Sequence, residues 1–148
     1  MFKNILVPID GSEYSLNAAK TAISIGEKFE GKVTFLHVIS KSLETTPNIK
    51  EHKATLVEEI ETLRAQGYKI LEKAIQSTGK DTAEIEAVLS WGNPADIIME
   101  EIGEKEYDLV VMGSRGLGAI KGLLLGSVSE RVVRLIKCPV MIIKDFYA

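Results

Sequence analysis

Three glycines and a serine late in the chain have a spacing that could bind an anion: Gly113, Gly116, Gly126 and Ser127. They form the pattern Gly-x2-Gly-x9-Gly-Ser, between an apolar run at residues 107–112 and a run of helical character at residues 128–136. Glycine has no Cβ, so an anion can approach its backbone N–H closely, and the start of a helix adds a positive dipole end. The pattern therefore predicts a cradle for the phosphate groups of a nucleotide.

Two other glycine-rich phosphate loops do not fit this spacing. A Walker A loop requires Gly-x4-Gly-Lys-Ser/Thr, and although Gly118 stands at the right distance from Gly113, the next residue is Ala119. The dinucleotide fingerprint requires a third glycine where this chain has Lys121. Glycines are common in turns, so the specificity lies in the complete pattern and in its position between a strand and a helix.

Hydrophobic patterning predicts the elements that would hold this loop. Short apolar runs alternate with segments of helical periodicity, and Ser12 and Asn93, the latter followed by Pro94, have the character of helix N-caps. Gly67, inside the second helical segment, predicts close packing or a kink. We predict strands at residues 5–9, 33–39, 84–89, 107–112 and 140–143, with a helix between each pair. This order predicts one α/β domain over residues 1–148, with a parallel sheet covered on both faces.

The predicted fold brings distant segments of the chain together. In doubly wound sheets, ligands bind at the carboxyl ends of the strands, near the point where the strand order reverses. The first strand would bring Pro8, Asp10, Gly11 and Ser12 to this edge, and the second strand would bring Val38. These residues are therefore candidates for the same site as the glycine-rich loop.

Composition and charge narrow the classes of protein. The 148 residues are 45% hydrophobic and 26% charged, and the net charge of −3 argues against nucleic acid or an anionic membrane as the main partner. No run approaches the roughly 18 apolar residues of a membrane span, and the first residues predict a strand rather than a signal peptide. The single cysteine, Cys138, excludes an internal disulfide and suits a reducing compartment. We therefore expect a cytoplasmic protein.

Taken together, these motifs resemble those of the universal stress protein family, and the resemblance covers the whole chain. The matching segments are residues 5–12, the His37-Val38 pair, the Gly92-x-Pro94 turn, and residues 112–116, 126–129 and 138–141. The resemblance implies a Rossmann-like sheet of five strands in the order 3-2-1-4-5, and a dimer. In this family the complete glycine pattern distinguishes the members that bind ATP, and this chain has it complete.

The resemblance also implies a role for each motif residue. The glycines of the pattern, with Ser127 and Ser129, would hold the phosphates. Asp10 would lie near the ribose and phosphates or help to hold Mg²⁺ or Mn²⁺. Val38 and Met112 would pack against the adenine, with the Val38 backbone at the edge of the base. The full set predicted to bind ATP is Pro8, Asp10, Gly11, Ser12, Val38, Met112, Gly113, Arg115, Gly116, Gly126, Ser127, Val128 and Ser129.

Some of these residues also have simpler structural interpretations, which the sequence leaves open. Asp10 could only brace the turn before the first helix, and Ser127 could be an N-cap, a role compatible with phosphate binding. Arg115 could reach a phosphate or be a solvated loop charge. For His37 a packed or hydrogen-bonded role is favoured over a catalytic one.

The remaining titratable candidates are weaker. Lys121 could cover the phosphates or be a mobile surface side chain, and His52 is predicted to lie on the surface. The two histidines and Cys138 do not form a plausible set of metal ligands.

Three functions are compatible with this sequence. The first is a stress-response module that binds ATP and changes what its surface presents to a protein partner. The second is a slow Mg-dependent ATPase or phosphotransferase acting with a partner. No second carboxylate or glutamine has a position that argues for water activation, so we assign no catalytic residue. The third is an adaptor whose cradle is vestigial and binds no adenine nucleotide.

The last strand predicts a dimer contact. Residues 140–143 are apolar on both faces, and the implied order places them at an edge of the sheet, where an uncovered strand can pair with another chain. We predict a homodimer through Val140 and Ile142.

Overall fold

Parallel strands form the centre of the protein. The computed structural model describes residues 1–40, 53–79, 84–116 and 124–144. In these ranges the strands are β1 (Asn4–Pro8), β2 (Lys32–Ile39), β3 (Glu84–Trp91), β4 (Leu109–Gly113) and β5 (Val140–Ile143). Every pairing is parallel, and the order is β3-β2-β1-β4-β5. The predicted fold class and strand order are confirmed.

The helices of the described ranges cover both faces of this sheet. They are α1 (Glu13–Phe29), α2 (Lys53–Thr78), α3 (Pro94–Glu104) and α4 (Ser127–Leu135). Strand side chains alternate between faces: odd-numbered residues such as Val7 and Phe35 pack with α1 and α2, and even-numbered ones such as Leu36 and Val110 pack with α3 and α4. Within the described ranges, no helix has the length and apolar character needed to cross a bilayer.

Capping residues determine where α1 and α3 begin. Ser12 is the N-cap of α1, and its Oγ accepts a hydrogen bond from Ser15 N at 3.2 Å. Asn93 is the N-cap of α3, and its side chain accepts a hydrogen bond from Asp96 N at 3.2 Å, with Pro94 in the first turn. Both predicted caps are confirmed.

The start of β4 differs from the prediction, which placed the strand at residues 107–112. Tyr107 is buried but lies outside the strand, and its hydroxyl donates to Glu101 Oε1 at 2.7 Å. Asp108 accepts hydrogen bonds from the backbone N–H groups of Lys3 and Asn4, at 2.8 and 3.2 Å. The side chains of these two residues anchor α3 and the beginning of β1. Asp108 N also donates to Asn4 O at 2.9 Å, and the strand itself begins at the next residue, Leu109.

Gly67 allows α2 to approach the sheet closely. A Cβ at this position would lie 2.6 Å from Leu89 Cδ1 and 3.3 Å from Ile39 Cδ1, and α2 continues through the glycine. The close packing predicted at Gly67 is confirmed.

Candidate functional site

A cavity of about 420 Å³ lies at the carboxyl ends of β1, β2 and β4. β1 is the central strand, with β2 on one side and β4 on the other, so the strand order reverses at this point. The predicted nucleotide-binding residues that line the cavity are Pro8, Asp10, Val38, Met112, Gly113, Arg115, Gly116, Gly126, Ser127, Val128 and Ser129. The fold therefore collects into one cavity segments that are far apart in the sequence.

Gly11 and Ser12 are the predicted site residues that do not line the cavity. Gly11 has a φ of 89°, which favours glycine, and a Cβ there would face Ile70 of α2 at 3.7 Å. Ser12 is buried, and its side chain is occupied by the cap of α1 and by a hydrogen bond to Asp10. These two residues shape the turn that presents Asp10.

One half of the cavity is apolar. The register pairs Pro8 with Leu36, and even-numbered strand residues face α3 and α4, so Pro8, Leu36, Val38 and Met112 form its floor. Pro94 and Ile98 of α3 and Val128 of α4 line the same cavity. The apolar lining of this half suits a flat ring system such as a nucleobase.

The backbone of Val38 adds a polar edge to the apolar half. Ile9 N donates to Leu36 O at 2.8 Å, so the Leu36 carbonyl points towards β1. Alternate residues of a parallel strand direct their N–H and C=O groups to the same side. The N–H and C=O of Val38 therefore lie on the side of β2 that faces β1, just past the end of β1, and Val38 lines the cavity there.

The other half of the cavity is polar and contains the Asp10 carboxylate. Asp10 Oδ1 accepts hydrogen bonds from Ser12 N at 2.9 Å and from Ser12 Oγ at 2.5 Å. A Cβ at Gly116 would overlap with Asp10 Oδ2. The glycine at position 116 is therefore what allows the loop after β4 to pass beside this carboxylate.

The other two glycines of the pattern are also in tight places, for different reasons. A Cβ at Gly113 would lie 2.6 Å from Tyr14 Cβ and 2.8 Å from the Tyr14 carbonyl carbon, so this glycine is required by packing against α1. A Cβ at Gly126 would lie 3.3 Å from Arg115 Cα. Both ends of the loop are thus held close to neighbouring backbone.

The N-terminus of α4 presents backbone donors to the polar half. Gly126 is the N-cap, so the suggested N-cap role of Ser127 is wrong: Ser127 is the first residue of the helix. Gly126 N donates to Ser114 O at 2.7 Å, and Glu130 N makes the first helical bond, to Gly126 O, at 2.9 Å. The N–H groups of residues 127–129 have no partner within the helix, and Gly126 has no side chain to cap them.

Ser129 secures the loop rather than adding a free donor. Its hydroxyl lies 2.9 Å from Ser114 O and 3.2 Å from Gly126 O, and the residue is buried. A serine hydroxyl donates one hydrogen, which these carbonyls use. The backbone N–H of Ser129, rather than its side chain, is therefore the group available to an anion.

The charged side chains that line the cavity balance each other. Of the described lining residues, Asp10 is the only acid and Arg115 the only arginine or lysine. Across the described ranges, no group of three or more His, Cys, Asp and Glu side chains could hold a metal ion. Lys121 and His52, to which the sequence also drew attention, lie outside the described residues.

Two side chains outside the cavity have pKa values that their surroundings raise. Burial, together with the hydrogen bond to Glu101, raises the pKa of Tyr107. Burial and the nearby Asp108 raise the pKa of the Cys138 thiol, so this cysteine is a poor nucleophile at neutral pH.

His37 donates its Nδ1–H to Ile9 O at 2.6 Å, which confirms the predicted hydrogen-bonded role.

Sequence reasoning did not assign Pro94 and Ile98 to the site. The Gly92-x-Pro94 turn was noted as a motif, and Ile98 belongs to the buried face of α3, but neither pattern indicates which strand ends the helix covers. A signal was available in principle, because the helix that follows β3 must return across the face formed by the even-numbered residues.

The fold and the cavity define a doubly wound α/β protein with an anion-compatible pocket at its switch point. A model of the universal stress protein family matches residues 1–144, and the chain therefore belongs to this family. It is 34% identical to the universal stress protein YxiE of Bacillus subtilis, over 97% of this chain and 100% of YxiE.

Solved structures show the same fold. The universal stress protein UspA from Lactobacillus plantarum aligns with a TM-score of 0.82 and 26% identity, over 96% of this chain and 97% of UspA. A universal stress protein in complex with cAMP aligns with a TM-score of 0.70 and 28% identity, over 97% of each chain.

Proposed function

We propose that this protein is a regulatory module that binds ATP, with the phosphates held by the Gly-x2-Gly-x9-Gly-Ser loop and the start of α4. The observation that carries the proposal is a single cavity with an apolar half and a polar half, in which α4 begins without a side-chain cap. A relative of similar fold is known in complex with cAMP, which supports an adenine nucleotide as the ligand.

The proposal assigns the two halves of the cavity to the two ends of the nucleotide. Adenine would lie between Val38 and Met112 on the strands and Ile98 on α3. The phosphates would accept hydrogen bonds from the N–H groups at residues 127–129, where the helix dipole favours negative charge. Arg115 lines the cavity, and its Cα would lie 3.3 Å from a Cβ at Gly126, the N-cap of α4. Its guanidinium would add a charge-assisted contact to a phosphate.

A divalent ion would be held by Asp10 together with the phosphates. Mg²⁺ usually keeps several waters and is bound by one or two carboxylates and the substrate phosphates. The single carboxylate in the polar half fits this kind of coordination. By itself it supplies too few ligands for a site built from protein groups alone. Asp10 would therefore hold Mg²⁺ or Mn²⁺ only when the nucleotide is present.

Titration calorimetry of nucleotide-stripped protein tests the proposal. ATP and AMP are compared, each with and without Mg²⁺. We expect ATP to bind about tenfold or more tightly than AMP, because charge-assisted hydrogen bonds to the outer phosphates would be lost with AMP. Absence of binding by both at millimolar concentration would contradict the proposal and favour an adaptor with a vestigial cradle.

Slow hydrolysis or phosphotransfer is the second candidate, and the position of Asp10 beside Gly116 is the observation that favours it. Catalysis would require a metal and a group that orients water. The candidate predicts Mg²⁺-dependent release of ADP that Asp10→Asn abolishes while the affinity for ATP without Mg²⁺ is largely kept. If the wild type holds ATP for hours without ADP appearing, the purely regulatory function is the better description.

We further propose that the protein is a homodimer through β5. This strand is at an edge of the sheet, and Val140 and Ile142 are only partly buried within the chain. Val140→Asp should shift the protein towards monomer in sedimentation velocity. Ala87→Asp, on the exposed surface of the opposite edge strand, is the matched control. An unchanged sedimentation coefficient for Val140→Asp, or a monomeric wild type at micromolar concentration, would contradict this proposal.

A further inference from the structure

A side chain, rather than the backbone, closes the end of the pairing between β1 and β2. His37 Nδ1 lies 2.6 Å from Ile9 O. Since a carbonyl oxygen only accepts, Nδ1 carries the hydrogen in this bond. Ile9 N still donates to Leu36 O at 2.8 Å. Ile9, the residue that follows β1, is therefore the last to pair with β2 on this side, and the imidazole donates to its carbonyl.

The bond that would continue the pairing is missing at this point. In a parallel ladder, a residue that accepts through its carbonyl is followed two positions later by a residue whose N–H donates back to the same neighbour. Here that bond would run from Val38 N to Ile9 O. The described backbone contains the bond from Ile9 N to Leu36 O but not the bond from Val38 N to Ile9 O.

The Ile9 carbonyl is buried, so it matters energetically that the His37 imidazole donates to it in place of the Val38 N–H. Ile9 is 2% exposed, and a buried carbonyl without a donor is costly. If the imidazole did not donate to it, the nearest replacement donor along the ladder would be the N–H of Val38. The ring is also held in place from the other side, because Gly67 of α2 brings its backbone close: a Cβ there would lie 3.4 Å from His37 Cδ2.

We infer that His37 is a positioning residue for recognition of the base. By satisfying Ile9 O, it leaves the N–H and C=O of Val38 directed into the apolar half of the cavity as an adjacent donor and acceptor. Adenine presents a complementary pair on one edge, its 6-amino group and the neighbouring ring nitrogen. This inference rests on the proposed nucleotide-binding function and adds to it the origin of the preference for adenine.

Two variants separate this role from packing. His37→Leu removes the donor and keeps an apolar side chain of moderate size. His37→Asn places an amide nitrogen at the position of Nδ1, so it can donate to Ile9 O. Amide hydrogen exchange of the nucleotide-free proteins then reports on Val38 directly. We expect exchange at Val38 to be roughly tenfold slower in His37→Leu, the equivalent of about one net hydrogen bond, and unchanged in His37→Asn.

Binding of ATP and inosine triphosphate measures the consequence. Inosine carries a carbonyl in place of the amino group and a hydrogen on the neighbouring nitrogen, so its donor and acceptor are exchanged. We expect the wild type and His37→Asn to prefer ATP by about tenfold or more, and His37→Leu to bind both triphosphates with nearly equal affinity. Both readouts are interpreted only for variants with a thermal transition as cooperative as that of the wild type.

The outcomes distinguish this inference from the proposed function. Normal ATP binding by the wild type, with an undiminished preference in His37→Leu, would overturn the role of His37 alone. Slow exchange of the Val38 amide already in the wild type would also overturn it. Absence of ATP binding by the wild type would overturn the proposed function and this inference with it.

Discussion

Replacement of Gly116 by alanine tests whether the glycine pattern and Asp10 act as one unit. The new Cβ would overlap with Asp10 Oδ2, while Asp10 Cγ would lie at 3.6 Å. Gly116 does not have a positive φ, so its backbone conformation is one that alanine can adopt. The effect must therefore come from the contact with the carboxylate, which has to move by about an ångström to reach an ordinary separation.

The movement has a cost that can be estimated from the structure. Asp10 is held by two hydrogen bonds from Ser12, to N at 2.9 Å and to Oγ at 2.5 Å. Hydrogen bonds to a charged group contribute about 1.5–3 kcal/mol each. If MgATP binds only the original arrangement of carboxylate and loop, binding to the variant must restore it at about the cost of one such bond. The affinity for MgATP should then fall by roughly 10- to 100-fold.

Calorimetric titration with MgATP measures this loss, and two further variants make it interpretable. Gly103→Ala is the matched control, because nothing lies within 4 Å of a Cβ there; it should bind as the wild type does. In a protein that already carries Asp10→Ala, adding Gly116→Ala should lower the affinity for MgATP little further, because the carboxylate with which the new Cβ would clash is absent. Unchanged affinity in Gly116→Ala, or full additivity of the two changes, would refute the reasoning.

The other predictions concern stability. Gly113→Ala forces a Cβ against Tyr14 at 2.6 Å and should destabilise by about 1–3 kcal/mol in urea unfolding; an unchanged midpoint would contradict the packing argument. Ser12→Ala removes the cap that accepts from Ser15 N, and should cost about 1 kcal/mol and lower Tm by roughly 2–4 °C. The pKa of Tyr107 is raised in the folded state, so its stabilisation is complete below pH about 10, where the unfolded chain begins to lose the proton, and declines above it. We therefore expect the Tm of Tyr107→Phe to fall less steeply than that of the wild type between about pH 9 and 11. An equally steep fall in both proteins would contradict this reasoning.

Much of the fold could be predicted because its signals are local. The caps at Ser12 and Asn93 depend on side-chain oxygens within three residues of the N–H groups that they accept from. The alternation of strands and helices depends on hydrophobic periodicity, which a short window contains. The boundaries of β4 were less predictable, because Asp108 is used by the backbone of Lys3 and Asn4, far away in the sequence.

Some residues of the candidate site could be identified from the sequence, and others only from the folded structure. The glycine pattern and Asp10 could be identified by spacing, since the approach of an anion to a backbone turn requires particular residues at particular positions. Pro94 and Ile98 could not be assigned, because their presence in the cavity depends on how α3 packs across the strand ends. That packing is decided by the burial of apolar surface over the whole domain.

The sequence by itself determined the parallel α/β architecture, the late glycine pattern and, by resemblance, the family. Only the tertiary structure decided that Gly113 is required by Tyr14, that Gly116 is required by Asp10, and that the imidazole of His37 takes the carbonyl of Ile9. The physical reason is that periodicity and capping act over a few residues. The partner of a buried polar group or of a missing Cβ is chosen by which surfaces meet when the chain folds.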